Sequence, residues 1–398
     1  MKRRAMVAAW LLLLTVVANG IAGPTAIAQP ETSPTATAPG TLVRWEPIPP
    51  IGGHPAWRIL YTSTRLDGAI VPVSGVIAIP ATTAPQEGFP LLAIAHPTAG
   101  LGRQCAPSLL LQNNASLMSQ LYQEILTPYL DAGFALIMSD YQGLGIPGDP
   151  SYLIGAIEGR NLLDSVRAAR AFPDIPLSAS TQIIGHSQGG HAAAFALQLA
   201  PDYAPELTFD GAVLAAPALD PRGIFTSLIA GDVASENISL ILFVMGAWSA
   251  TYPDASLDQV TTPLGQEVIE TEIADACLIE AGLAAANHSP SDLFLPDAPE
   301  AWSDLAAENT PAAGPWPMPA LIVHGVDDEV IDPAMTAAFV DGLCASGSTV
   351  AFIEYPGADH FGVLSAAGDT MRNWLLDRVA GEPAPSSCAQ ATVLGTAP

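Results

Sequence analysis

Thr181-Gln182-Ile183-Ile184-Gly185-His186-Ser187-Gln188-Gly189-Gly190-His191-Ala192-Ala193-Ala194 is the stretch on which the fold of this 398-residue chain turns. Its opening residues form an unbroken apolar run of strand type, and the alanine-rich segment 191–199 reads as a helix. Gly185-His186-Ser187-Gln188-Gly189 joins the two. A serine flanked in this way by glycines fits a strained strand-to-helix turn, because a Cβ at either glycine would collide with neighbouring backbone. Such a turn lifts the Ser187 hydroxyl above the sheet and makes it a candidate nucleophile. It also leaves the Gln188 amide at the first turn of a helix, where a developing oxyanion meets both a hydrogen bond and the positive end of the helix dipole.

Outward from this turn the same alternation recurs. Apolar runs at 71–80, 90–96, 134–139, 181–185, 211–216, 319–324 and 349–355 lack polar alternation, as strands covered on both faces require. Helical patterns at 110–130, 155–172, 191–199, 333–343 and 366–379 fall between them; in 155–172 Glu158, Arg160, Asp164, Arg167 and Arg170 are expected on the polar side. The fold class is therefore α/β, a mostly parallel central sheet flanked by helices. About 100 residues separate the strand ending near 216 from the one at 321, too long for a structureless loop. Within them 224–250 is apolar, 268–286 looks helical and 289–317 reads as a Pro/Ala/Asp-rich linker. A helical cap with an apolar underside, inserted late in the chain and lying over the carboxyl edge of the sheet, accounts for this. The expected organisation is a signal peptide at 1–28, a flexible leader at 29–40, a first core segment at 41–220, the cap at 221–315 and a second core segment with its tail at 316–398.

The amino terminus supports export. Lys2, Arg3 and Arg4 precede an apolar run from Ala5 to Ala18, and Ala26-Ile27-Ala28 supplies small residues for cleavage. No later segment reaches the roughly 20 apolar residues that a spanning helix needs, so stable membrane insertion is not expected. Beyond residue 28 the chain holds 39 acidic residues against ten arginines and no lysine, a formal charge near −29. Such a surface repels nucleic acid and anionic membranes and suits neutral or apolar partners. Cys105, Cys277, Cys344 and Cys388 suggest two disulfides outside the cell, with three connectivities open on spacing alone. Their spacing suits no zinc site, and neither a metal nor a cofactor is expected.

A serine nucleophile needs a base and an orienting acid, which follow it in the order Ser, Asp, His. The run 349–355 leads into Pro356-Gly357-Ala358-Asp359-His360-Phe361, making His360 the expected base. His54, His288 and His324 are worse placed, the last because it ends a strand. The acid lies in Gly325-Val326-Asp327-Asp328-Glu329, where adjacent aspartates point to opposite sides and only one can face His360. Asp359 is disfavoured by its adjacency to His360. The second oxyanion donor is expected after the 90–96 strand, in His96-Pro97-Thr98-Ala99-Gly100; Pro97 has no amide to give, which leaves Thr98 or Ala99, with Thr98 preferred. Asp140-Tyr141-Gln142-Gly143 lines the active-site floor or is a turn with an aspartate cap.

Taken together, His96 to Gly100 with Cys105-Ala106-Pro107-Ser108, Asp140 to Gly143, 155–163, 185–190, Asp328-Glu329-Val330-Ile331 and Asp359-His360 make the chain resemble the secretory lipase family over residues 40–390. The oxyanion loop departs from the family's common His-Gly-Thr-Thr-Gly at Pro97 and Ala99. The resemblance implies an α/β-hydrolase fold with a late helical cap, and a Ser-Asp-His triad in which Asp328 rather than Asp327 takes the acid's place. It also implies disulfides joining Cys105 to Cys277 and Cys344 to Cys388. The implied protein is a secreted, monomeric carboxylic ester hydrolase acting on acylglycerols or other neutral esters, at a lipid-water interface in the lipase case. An esterase for short or aromatic esters and a non-enzymatic lipid-binding protein are the alternatives.

Overall fold

The computed structural model describes residues 38–173, 175–223, 237–296 and 299–388; the expected signal peptide, the leader as far as residue 37 and the segment 224–236 lie outside them. Among the described residues nine strands form one sheet in the order β1-β2-β3-β5-β4-β6-β7-β8-β9. They are β1 Leu42–Ile51, β2 His54–Thr64, β3 Ile70–Ala78, β4 Phe89–Ala95, β5 Ala135–Ser139, β6 Leu177–His186, β7 Gly211–Ala215, β8 Ala320–Gly325 and β9 Val350–Tyr355. From β5 across to β9 every neighbouring pair is parallel, and these strands are the buried apolar runs seen in the sequence. β1, β2 and β3 extend the sheet as an antiparallel edge. The first two were not anticipated.

Helices α1 Pro107–Asn113, α2 Leu117–Asp131, α3 Gly155–Arg170 and α4 Gln188–Tyr203 belong to the first half of the core. α5 Ile238–Thr251, α6 Pro263–Val268, α7 Leu278–Ala285, α8 Pro290–Leu293 and α9 Glu300–Glu308 fall between β7 and β8, and α10 Pro333–Ala345, α11 Gly362–Ala366 and α12 Gly368–Val379 complete the chain. The expected helix 110–130 is two. Asn114 adopts a left-handed conformation (φ 45°) that ends α1, and the Ser116 side chain accepts the Ser119 amide to start α2.

Two apolar clusters cover the two faces of the sheet. One joins α3, α4 and α10 through Leu162, Val166, Leu197 and Leu343; the other joins α2 and α12 through Tyr122, Leu126, Met371 and Leu375. Of the polar side expected for α3, Arg170 is exposed and Arg160 and Arg167 are half-buried, but the acidic residues turn inward. Glu158, Asn161 and Asp164 are buried, and Asp164 accepts hydrogen bonds from Ser63 at 2.6 Å, Tyr203 at 2.7 Å and Arg167 at 2.8 Å. Buried charge is tolerated only where such partners replace water.

The β7–β8 insertion has an apolar core of its own. Ile241, Phe243 and Met245 of α5 pack with Ile269 and Ile273, and with Tyr152 and Ile157 from the entry to α3, so the described apolar side chains largely bury one another. The stretch expected to be a linker carries α8 and α9, and Trp302 of α9 stacks on Trp248 with ring centroids 6.2 Å apart. Asn309, just past α9, ties the end of the insertion to the core by accepting the Gly155 amide at 2.9 Å.

The insertion is also stitched to the loop after β4. Leu278 N donates to Ala99 O at 2.9 Å and Leu101 N to Ala276 O at 3.0 Å, beside the Cys105–Cys277 disulfide. Cys344 pairs with Cys388, both connectivities as the resemblance implies. Because Cys105 and Cys277 are 172 residues apart, their cross-link removes denatured-chain entropy worth about 5 kcal/mol on the chain-entropy model. The Cys105→Ser, Cys277→Ser double variant should therefore melt at a clearly lower temperature in circular dichroism. An unchanged melting temperature would contradict this account of the insertion's anchor.

Candidate active site

Parallel register brings the key loops to one edge. Ala95 of β4 pairs with Gly185 of β6, His186 with Ala215 of β7, Ala215 with Val323 of β8, and Gly325 of β8 with Tyr355 of β9. The loops leaving the carboxyl ends of these strands hold Thr98, Ser187, Asp328 and His360, so a linear separation of more than 260 residues becomes a single row above the sheet.

Ser187 has φ 56° and ψ −119°, a strained conformation for a residue with a Cβ, between the end of β6 and the start of α4. Three main-chain bonds hold it: Ser187 N donates to Ala215 O at 3.0 Å, while His191 N and Ala218 N both donate to Ser187 O at 3.2 Å. The turn is this sharp because α4 starts hard against β4. A Cβ at Gly189 would strike the Ala95 carbonyl, and one at Gly185 would strike Gly189 O. Gln188 opens α4, so its amide belongs to the first turn, which has no intrahelical acceptor.

Of the two aspartates, Asp327 is exposed and Asp328 buried. Asp328 Oδ2 lies 2.7 Å from His360 Nδ1, and its Oδ1 accepts the amides of Val330 at 2.8 Å and Ile331 at 2.9 Å. Burial alone would raise the Asp328 pKa, but hydrogen bonds from His324 and His360 outweigh it and hold the carboxyl well below its usual range. With the carboxylate accepting at Nδ1, a neutral His360 ring keeps its lone pair at Nε2. Asp359 plays no part in this arrangement; its side chain accepts the Gly362 amide at 2.6 Å and caps the following turn.

Sequence reasoning overlooked several neighbours. His324, set aside as a strand-ending residue, places Nε2 3.0 Å from Asp328 Oδ2 and 3.1 Å from Ile331 O. A carbonyl only accepts, so Nε2 carries the proton and Asp328 receives a second imidazole N–H. His186 donates from Nε2 to His360 O at 2.8 Å, and their rings lie against each other, tilted by 40°, with centroids 4.7 Å apart. Glu158 accepts the Gln188 side-chain amide at 2.6 Å, fastening the first residue of α4 from below. The serial position of these residues carries no mark of such partners; only His324, four residues before Asp328, hinted at proximity. His54 is occupied elsewhere, against Asp131 at 3.0 Å.

Thr98 is buried, and its hydroxyl lies 3.0 Å from the Tyr152 hydroxyl, which comes from the insertion's core cluster. Asp140 proves to be a brace and not part of the floor. It is fully buried, accepts the Ser108 amide at 2.9 Å together with the Ser74 and Ser108 hydroxyls, and so fixes the start of α1 to the sheet. Tyr141 donates to His96 O at 3.3 Å and steadies the loop after β4.

The sheet order, the serine turn and the helical insertion between β7 and β8 define an α/β-hydrolase fold. Candida antarctica lipase A in its closed state superposes with a TM-score of 0.76 at 20% identity, covering 90% of this chain and 86% of that one. A rice cell wall degrading esterase of Xanthomonas oryzae reaches 0.72 at 20% identity, over 86% of this chain and 98% of its own; at such identities the likeness speaks for the fold alone. A secretory lipase family model matches residues 111–297. A secreted triacylglycerol lipase of Malassezia globosa is 26% identical over 84% of this chain and 75% of its own length. A probable inactive lipase of Mycobacterium tuberculosis is 27% identical over 82% and 74%. The chain is similar to the secretory lipases, and that likeness supports, at the level of the family, a secreted serine-type carboxylic ester hydrolase.

Burial of His186 should make the fold acid-sensitive. Desolvation, and then repulsion from His360, push its pKa down to about 3 from an unfolded value near 6.5. Below pH 6.5 the unfolded chain binds a proton that the folded one refuses, so stability is full above pH 6.5 and falls as pH drops toward 3, by up to ~5 kcal/mol for this one group. Denaturant melts of His186→Gln should show a shallower loss of stability over that window than the native chain, whereas parallel curves would contradict the assignment.

Proposed function

We propose that the protein hydrolyses triacylglycerols and related long-chain esters through an acyl-enzyme on Ser187. The observation that carries this reading is the bond between His360 Nδ1 and buried Asp328, beside a serine held in a strained turn at a helix start. His360 Nε2 takes the Ser187 proton as Oγ attacks the ester carbonyl, forming a tetrahedral intermediate. Asp328 keeps the imidazole in the required tautomer and stabilises the imidazolium. The oxyanion is received by the Gln188 amide and by the Thr98 amide, with the Thr98 hydroxyl, oriented by Tyr152, beside it. The intermediate collapses as His360 returns the proton to the leaving alkoxide. Water, deprotonated by the same nitrogen, then attacks the acyl-enzyme, and His360 returns that proton to Ser187 Oγ as the acid is released.

The preference for long apolar chains is supported by the names of the Malassezia relatives and by an apolar groove beside the site. Among the described residues no helix is long and apolar enough to cross a membrane, which fits a protein that meets lipid from the aqueous side.

Ser187→Ala should lower kcat by roughly 10⁵ or more with the fold intact, since losing one member removes nearly the whole benefit of such a set. A variant keeping a few per cent of native activity would exclude Ser187 as nucleophile. Asp328→Asn should cost on the order of 10⁴ in kcat by permitting the wrong imidazole tautomer, and Asp327→Asn far less. Equal losses, or the reverse order, in p-nitrophenyl ester assays would remove Asp328 from the acid's role.

A further inference from the structure

His324, near the end of β8, is a fully buried imidazole with one nitrogen engaged and the other idle. Nε2 lies 3.0 Å from Asp328 Oδ2 and 3.1 Å from Ile331 O, whereas Nδ1 is buried with no hydrogen-bond partner. Burying a ring nitrogen without a partner costs free energy, so packing alone gives no reason for an imidazole at this position. What the ring supplies is an N–H on the oxygen that His360 Nδ1 also uses, at 2.7 Å. Asp328 Oδ1 is taken by the Val330 and Ile331 amides, which leaves Oδ2 to both imidazoles.

Two N–H donors on one carboxylate oxygen compete for the same electron density. The more of it His324 draws, the less Asp328 stabilises a proton added to His360, and the lower the pH at which imidazolium forms. Other titratable groups surround the pair. His186, from the end of β6, lies against the His360 ring, and burial pushes its pKa down to about 3. Glu354 of β9 is the half-buried register partner of His324, Asp327 is exposed in the same loop, and Asp359 accepts the Gly362 amide. All of these stay the same when only position 324 is changed.

Resting on the reading of Ser187 as nucleophile and His360 as its base, we propose that His324 is a positioning residue that acts through Asp328 Oδ2 and keeps His360 an unprotonated base to lower pH than Asp328 alone would allow. Its contact with Ile331 O holds the 328–331 turn at the same time, so one N–H sets both the direction of the carboxylate and its hold on the imidazole.

Two amide variants differing only in reach test this. His324→Gln can place its amide nitrogen where Nε2 lies, while the amide of His324→Asn reaches only as far as Nδ1. The acid limb of kcat/KM for p-nitrophenyl butyrate reports the free enzyme, and the His360 ring is titrated in parallel by NMR of histidine-labelled protein, its signal assigned by loss in His360→Ala. His324→Asn should raise both midpoints by roughly one pH unit, the scale of one bond to a charged group, and His324→Gln should restore them. Should His324→Asn not fold, His324→Phe, which keeps a ring and has no N–H, takes its place with the same expectation. A native midpoint in His324→Asn, a downward shift, or equal shifts in the two amide variants would overturn the proposal and leave His324 as packing for the turn. If the native protein cleaved no ester, the Ser187 reading would fall, and the NMR titration would still decide whether position 324 governs His360.

Discussion

The close approach of α4 to the end of β4 is the constraint from which the site follows. With no side chain at Gly189, the first turn of the helix presses against the Ala95 carbonyl, and the chain between β6 and α4 has room only for the strained conformation of Ser187. That strain costs on the order of 1–3 kcal/mol and persists because surrounding bonds over-determine it. Ala215, Ala218 and His191 hold the Ser187 main chain from three directions, while Glu158 grips the Gln188 side chain. The consequence is a hydroxyl fixed above the sheet with a helix amide next to it, preorganised before any substrate arrives.

Around this fixed point the side chains of the neighbouring loops are secured by buried polar bonds. Asp328 accepts two main-chain amides and two imidazole N–H groups, leaving its carboxylate little freedom to turn. On the opposite side, Asp140 and Tyr141 brace the β4 loop, and the insertion is sewn to the same loop by main-chain bonds and a disulfide. Thr98 therefore sits between two rigid bodies, the sheet and the anchored part of the insertion.

What was legible in the sequence is what depends on local pattern. The parallel strands are apolar throughout because both faces are covered, and the glycine-flanked turn needs glycine for steric reasons, so β4 to β9 and the strained turn at Ser187 could be read directly. β1 and β2 could not. β1 is a half-exposed edge strand holding Pro47, Pro49 and Pro50, residues that an edge tolerates and that sequence rules assign to loops. Glu158 and Asp164 were read as solvated helix positions, since nothing along the chain announces the partners that let them be buried. The Pro/Ala/Asp-rich composition of 289–317 concealed α8 and α9, whose short helices depend on burying a residue such as Trp302 against α5. The choice between Asp327 and Asp328 needed the family resemblance, and the fold separates them by exposure. His324 lies only four residues before Asp328, but the turn that brings its Nε2 onto the carboxylate is not encoded in that spacing.

The central claim is a covalent intermediate on Ser187 formed by this preorganised turn. Native protein quenched in acid during turnover of a p-nitrophenyl ester, then digested and analysed by mass spectrometry, reads it out directly. The account predicts that the acyl mass is found on the peptide containing Ser187, that it appears with the initial burst of nitrophenol, and that it is lost from that peptide in His360→Ala. Acylation at another residue, or turnover with no acylated Ser187 peptide under conditions where the burst is seen, would contradict it.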